Sequence, residues 1–325
     1  MTLTYRHYTP DLDPAICVSV DGNAPGKLHL SHWPDNATPK ELKHDLSTGI
    51  CLNLISRQDM AQRLEGITTV TNNHYDTDGV CSVFTLLHTD IARHQSHVLL
   101  SAALAGDMSL FTTPEGLKVD LTLTALTKRP DSPVASERYT DDHVRRQAQY
   151  DYAVEILPKL LETPDLHADW FAEEWWRINR DLRDLREEVA SLEHLSALDL
   201  AVVRCERALH EYAVNTGAGM DRILTMQTVE GGHFFDLRLT TYSWFELVSR
   251  PFRPRADWAE LAATLNQRAP SVGGNWRADD LKDPTPQLAF VNELGNLAPS
   301  KAQPEVVRAA VVEFFGKHPV LDAGV

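Results

Sequence analysis

The chain has 325 residues, 43% hydrophobic and 24% charged, which is the composition of a folded globular protein with room for two or three cores. A formal net charge of −15 argues against binding to long nucleic-acid duplexes, whose phosphates attract clustered Lys and Arg. Cys17, Cys51, Cys81 and Cys205 are dispersed without a Cys-x-x-Cys pair, and neither a signal pattern at residues 1–8 nor a membrane-length apolar run is present. A reducing cytoplasm and no membrane partner are therefore expected.

Residues 16–20 and 27–32 read as strands whose apolar residues alternate around a turn at Asp21-Gly22-Asn23. Thr38, Pro39 and Glu41 match a capping box, which predicts a helix from Pro39 to about Ser47, stopped by Gly49. Residues 50–55 read as a strand, Ser56 as the cap of a helix through Leu64, and residues 67–74 as a β-branched strand. This βαβαβ rhythm predicts an α/β fold: a mainly parallel sheet with helices on both faces, with ligands gathering beyond the carboxyl ends of its strands. Residues 80–94 read as the next helix, and Ser96 caps another through Ala105 before Gly106-Asp107. Periodicity leaves 116–127 open between a strand and a buried helix, because Leu117, Val119, Leu121 and Leu123 alternate. Residues 128–138, with Pro130 and Pro133, read as a linker.

From 140 to about 212 the pattern is helical, with three helices expected. Trp170, Trp175 and Trp176 are assigned to packing between them. Residues 215–219 read as a second linker, 222–229 and 233–248 as a hairpin around Gly231-Gly232, then a helix near 258–266, a strand at 287–291 and a helix near 304–317. The expected organisation is an α/β domain over 1–130, a helical connector over 139–214 and a smaller α/β substrate-binding-like unit over 220–325.

The segment His74-Tyr75-Asp76-Thr77-Asp78-Gly79 carries the chemistry. In an extended strand alternate side chains share a side, so His74, Asp76 and Asp78 are expected to converge, with Gly79 turning into a helix. One imidazole and two carboxylates suit manganese best, with zinc, iron or magnesium as alternatives. The following helix would turn its free N–H groups toward the same mouth and favour a phosphate. Metal and helix terminus together suggest phosphoryl chemistry, with Asp76 and Asp78 catalytic. Asp107 is a fourth ligand candidate, and His32 and His233 are substrate-binding candidates. Arg250, Arg253 and Arg255 form a small basic cluster that suits either an anion or a solvated loop. The plainer account of the motif is a polar strand end whose aspartates cap the next helix.

The run Val70-Thr71-Asn72-Asn73-His74-Tyr75-Asp76-Thr77-Asp78-Gly79-Val80-Cys81-Ser82 resembles the first motif of the DHH phosphoesterase superfamily, a strand ending in His-x-Asp-x-Asp-Gly before a helix. Gly106-Asp107 resembles another motif of that family, in which a helix ends at a metal-binding aspartate. The resemblance spans residues 67–107 and implies that His74, Asp76, Asp78 and Asp107 bind catalytic manganese. Asp141-Asp142-His143 is the nearest match to the family's Asp-His-His motif, and its position suits a helix cap instead. The expected function is metal-dependent phosphoesterase-like hydrolysis of a small phosphorylated compound or short oligonucleotide. The alternative is a non-catalytic DHH-like metal-binding or scaffolding protein.

Overall fold

The computed structural model describes residues 3–250 and 255–318 and has an α/β fold. It divides into two compact units, the first formed by residues 1–175 with Phe245–Arg250 and the second by the remainder of the chain.

In the first unit β1 (Thr4–Tyr5), β2 (Cys17–Val20), β3 (Leu28–Leu30) and β4 (Thr69–Thr71) form a wholly parallel sheet in the order β1-β4-β2-β3. Every residue of β2 and β4 is buried, as expected of inner strands in a parallel sheet. Val18, Val20, Leu30 and Val70 join the main core, which includes Ile50 and Leu54 of α1 (Ser47–Ile55) and Val80 and Phe84 of α3 (Thr77–Leu87). The turn expected at Asp21 does not make a hairpin, because β2 and β3 pair parallel, Val18 against Leu28. The chain doubles back along β2 on the way, and a Cβ at Gly26 would come within 2.9 Å of the Ser19 amide nitrogen.

Several local expectations yield to tertiary partners. Thr38 caps no helix, because its hydroxyl accepts from Ser31 N (2.8 Å) and donates to Ser31 O (2.7 Å), leaving one 3-10 turn at Lys40–Leu42. Residues 50–55 are helical within α1, and Ser56 ends that helix by donating to Leu52 O. Only α2 (Met60–Arg63) follows, beside an Asp59 carboxylate held by Arg57 and Arg63. The helix expected over 80–94 breaks at His88 into α3 and α4 (Thr89–His94), and α5 (Ser96–Met108) comes next. The open segment is α6 (Pro114–Lys128), capped by Thr113 with proline at its first turn. Its Leu117, Val119, Leu121 and Leu123 are all buried, so their alternation reflects a helix enclosed on more than one face.

Residues 128–138 are not an interdomain linker, since Val134 and Ala135 are buried and α7 (Asp142–Glu162) supplies Tyr150 and Leu157 to the same core. The separate connector over 139–214 is not seen: α7 belongs to the first unit, and the unit boundary falls inside α8 (Ala168–Arg186). The tryptophans of α8 lie under cations, with Lys118 5.0 Å from the Trp175 ring and Arg180 4.9 Å from that of the exposed Trp176.

In the second unit β5 (Ser191–Leu195) and β6 (Leu200–Cys205) replace the third expected helix. Residues 215–219 lie in and just after α9 (Glu211–Ala218) and do not form a linker. The remaining strands are β7 (Arg222–Val229), β8 (Gly232–Leu239), β9 (Asn275–Ala278) and β10 (Gln287–Val291), giving a mixed sheet in the order β5-β6-β7-β8-β10-β9. The hairpin is present at Gly231, where φ is 85°, and only a glycine fits at 232, where a Cβ would lie 2.5 Å from Ser300 O. Alternation along β6 sends Leu200 and Val202 into a core with α10 (Trp258–Arg268) and α11 (Pro304–Lys317), and Ala201 and Val203 toward α9.

One close approach links this packing to the residues of interest. A Cβ at Gly106 in α5 would stand 2.8 Å from the Thr77 Cβ at the start of α3. Alanine gains about 1 kcal/mol of helix propensity, but overpacking at such a contact costs roughly 1–3 kcal/mol. Gly106→Ala should therefore lower the urea midpoint despite the better helix former. An unchanged midpoint would show that the contact can relax freely.

Candidate metal centre

β4 ends at Thr71, and the chain has left strand geometry before the motif begins. Asn72 fixes that exit: its Nδ2 donates to Asp21 O (2.6 Å) and Val20 O (3.1 Å), and its Oδ1 accepts from His74 N (2.6 Å). Asp76 is the N-cap of α3, with Oδ1 accepting from Gly79 N (2.8 Å), while Oδ2 lies 2.6 Å from His74 Nε2. Asp78 sits in the first helical turn, so strand alternation does not unite the three ligands. It turns instead to the N-terminus of α1, where Ser47 N and Thr48 N donate to its two oxygens at 2.7 and 2.8 Å.

The motif is thereby shared between two groups that meet at Asp21. Asp21, His32, Asp78 and Asp107 form one, and Asp21, His74 and Asp76 the other; within each, one ligand atom per residue lies within 4.8 Å of the rest. In the first, His32 Nε2 is 3.1 Å from Asp107 Oδ2, 3.6 Å from Asp21 Oδ1 and 3.7 Å from Asp78 Oδ2. In the second, His74 Nε2 is 3.2 Å from Asp21 Oδ2. The groups differ in access. The first is fully buried at His32, Asp21 and Asp78 and 5% exposed at Asp107, whereas the His74 and Asp76 side chains are 23% and 32% exposed.

Histidine orientation bears on whether a cation fits. His32 Nδ1 lies 2.6 Å from the backbone oxygen of Asp45, which can only accept, so Nδ1 carries a proton and the ring, once it loses the other, presents its lone pair at Nε2. That nitrogen is buried and makes no hydrogen bond despite three carboxylates around it, and Asp21 Oδ2 is likewise buried without one. A ring anchored through one nitrogen with its other nitrogen among carboxylate oxygens is the arrangement of a metal-ligating histidine. The mixed nitrogen and oxygen donors suit a divalent transition ion.

The titration of the side chains reflects the same crowding. Burial, reinforced by Asp78, drives Asp107 well above the carboxylate range, and burial with the Asp21 charge lifts Asp78 to about 6. Burial and Asp21 also raise Asp76. Burial opposes charging of His32 and His74, yet the surrounding carboxylates raise both well above the ordinary imidazole value. Asp21 is held low against its own burial by contacts with the two histidines. Protons thus supply the positive charge that a divalent cation would replace.

Gly79 is required sterically, since a Cβ there would meet Tyr150 Oη at 2.4 Å and Asp76 Oδ1 at 2.9 Å. Asp107 stays in the last turn of α5, which ends at a left-handed Ser109. Asp21 looks like a turn residue in the sequence, although its place after a buried strand puts it at the carboxyl end of the sheet, where ligands collect. His32 lies inside the first group, a position suited to a metal ligand more than to substrate contact.

A family model described as a family of unknown function, DUF6687, matches residues 1–322. The chain belongs to the DUF6687 family. No curated protein matched it. In this DUF6687 protein His233, Asp141 and Arg255 have structural explanations. His233 is a residue of β8 beside Thr228 and Phe235, and Asp141 caps α7 by accepting from Val144 N. Arg255 bonds the backbone oxygens of Leu281, Asp283 and Pro284 in place of an anion, and Arg253 lies outside the described residues. Among the described residues no helix is long and apolar enough to cross a membrane.

If Asp21 serves both groups, Asp21→Asn should remove all tightly held metal, whereas His74→Ala should spare the buried group. Elemental mass spectrometry after manganese loading and dialysis separates these outcomes. An Asp21→Asn protein that keeps the wild-type metal content would refute the shared role.

Proposed function

We propose that this protein is a metal-dependent phosphoesterase-like hydrolase, with manganese as the best-suited ion and a small phosphorylated compound or short oligonucleotide as substrate. The observation that carries the reading is the pairing of a closed ligand group with a partly exposed one through Asp21. A structural site alone needs closure, while hydrolysis needs a position open to water and substrate. Bound divalent cations would polarise a phosphoryl group and acidify water at neutral pH.

The chain's own groups complement such a substrate. His74 and Asp76 occupy the accessible side, and the ring of Trp33 is 4.8 Å from that of His74. The N-terminus of α3 adds a positive dipole end, already used once by the Asp76 cap. At the carboxyl edge of β1, where Tyr8 N donates to Asn72 O, a cavity of about 390 Å³ is lined by Arg6, His7 and His143 among others. That cavity, which Asp151 also lines, is the candidate place for the non-reacting part of a phosphorylated substrate. The resemblance of residues 67–107 to DHH phosphoesterases supports the same reaction class.

A second reading, a non-catalytic metal-binding or scaffolding protein, is favoured by one observation: both Asp78 oxygens already serve the start of α1. The two readings part on activity. Manganese-loaded protein should hydrolyse bis-p-nitrophenyl phosphate or a dinucleotide, and Asp76→Ala should lower the rate more than about 100-fold. Stoichiometric metal with no hydrolysis of mono- or diesters would favour the second reading; loss of activity on chelation and recovery with manganese would favour the first.

A further inference from the structure

Phe245–Arg250 packs in the first unit although residues 176–244 belong to the second. Its contacts converge on His32. The Phe245 ring, buried, lies flat on the imidazole with centroids 3.9 Å apart and planes 13° from parallel. Glu246 N donates to His32 O (2.8 Å), and the Glu246 carboxylate pairs with Lys43 (2.6 Å). Val248 N and Ser249 N both donate to Asp45 Oδ1, at 2.6 and 2.9 Å, and Asp45 is the residue whose backbone oxygen anchors His32 Nδ1. The segment therefore grips the ring face, the backbone and the anchor of one histidine.

We infer that residues 245–249 are a latch on the buried ion site of Asp21, His32, Asp78 and Asp107, so that the inner ion enters or leaves only when the latch lifts. This rests on the two-group reading above. Three of the four inner ligands are fully buried, and the unbonded His32 Nε2 points among their oxygens. The outer group of His74 and Asp76 has no contact with the latch among the interactions described, and both side chains reach solvent. Phe245 is thus a positioning residue that acts through His32 and touches no substrate. The two ions should differ in exchange rate even though they share Asp21.

The test follows manganese loss from fully loaded protein into excess chelator, with retained metal measured over time by elemental mass spectrometry. Wild type should lose one ion quickly and one slowly, and His32→Ala should lack the slow ion. Phe245→Ala should speed the slow phase by roughly two- to tenfold, the scale of a lost stacked aromatic contact, and leave the fast phase unchanged. Phe245→Tyr, which keeps the flat ring, should retain the slow phase. Phe245→Leu, which keeps an apolar side chain without the stack, should also speed the slow phase and stands in where the alanine variant fails to fold. A slow phase unaltered in both Phe245→Ala and Phe245→Leu, or a single phase for two ions in wild type, overturns the latch while leaving the two-ion site intact. Protein that retains no manganese overturns both.

Discussion

Four carboxylates and two imidazoles are brought together at the carboxyl ends of β2 and β4, and much of the first unit is arranged around the cost of burying them. Unpaired buried charge is among the most destabilising features a fold can carry. Here three of the four carboxylates meet compensation from different elements. Asp78 receives the first amides of α1, Asp76 receives an amide of α3, and Asp21 is flanked by both histidines and accepts from Ser47 Oγ at 3.0 Å. Asp107 arrives on α5 only because Gly106 lets that helix pass Thr77. Removing the central cluster would thus leave helix termini as well as ligands without partners.

That dependence explains which parts of the fold were legible. The last helix, the strand at 287–291 and the turn of the hairpin at Gly231 depend on local caps, turn residues and periodicity and stand where the sequence places them, although the second hairpin strand ends at Leu239 and not near Val248. Residues 50–55 of α1 read as a strand because Cys51-Leu-Asn-Leu-Ile55 suits either state, and the deciding bonds come from Asp78, far along the chain. The Thr38 capping box failed for the same kind of reason, its hydroxyl being taken by Ser31. β6, rich in β-branched residues, was lost inside a run of helix-forming charges, and its parallel pairing with β7 is a long-range contact that periodicity does not encode.

The candidate site was legible in residue type but not in geometry. His74, Asp76, Asp78 and Asp107 were all singled out, yet the expected strand alternation would have placed three of them on one ion, and the structure divides them between two groups. Asp21 joins those groups and is hidden in Asp21-Gly22-Asn23, which looks like an ordinary turn. Position relative to a buried strand, not motif, was the available signal. His32 was noticed for ending a strand, but its anchoring carbonyl at Asp45 and its stacking partner at Phe245 are separated from it by 13 and 213 positions, beyond any local pattern.

The plain account of the motif, in which aspartates cap helices, is correct as far as it goes, and it does not compete with metal binding. Asp76 uses one oxygen for the α3 amide and turns the other to His74, so capping orients the carboxylate that a cation would meet. Asp78 makes the same double use at α1, with an oxygen 3.7 Å from His32 while both accept amides. Helix termini therefore hold in place the carboxylates that a cation would meet. Such coupling means that a substitution at Asp78 disturbs α1 as well as the site. At Asp76 an asparagine could keep the cap through its carbonyl oxygen while losing the charge, which makes Asp76 the cleaner position for separating folding from ion binding.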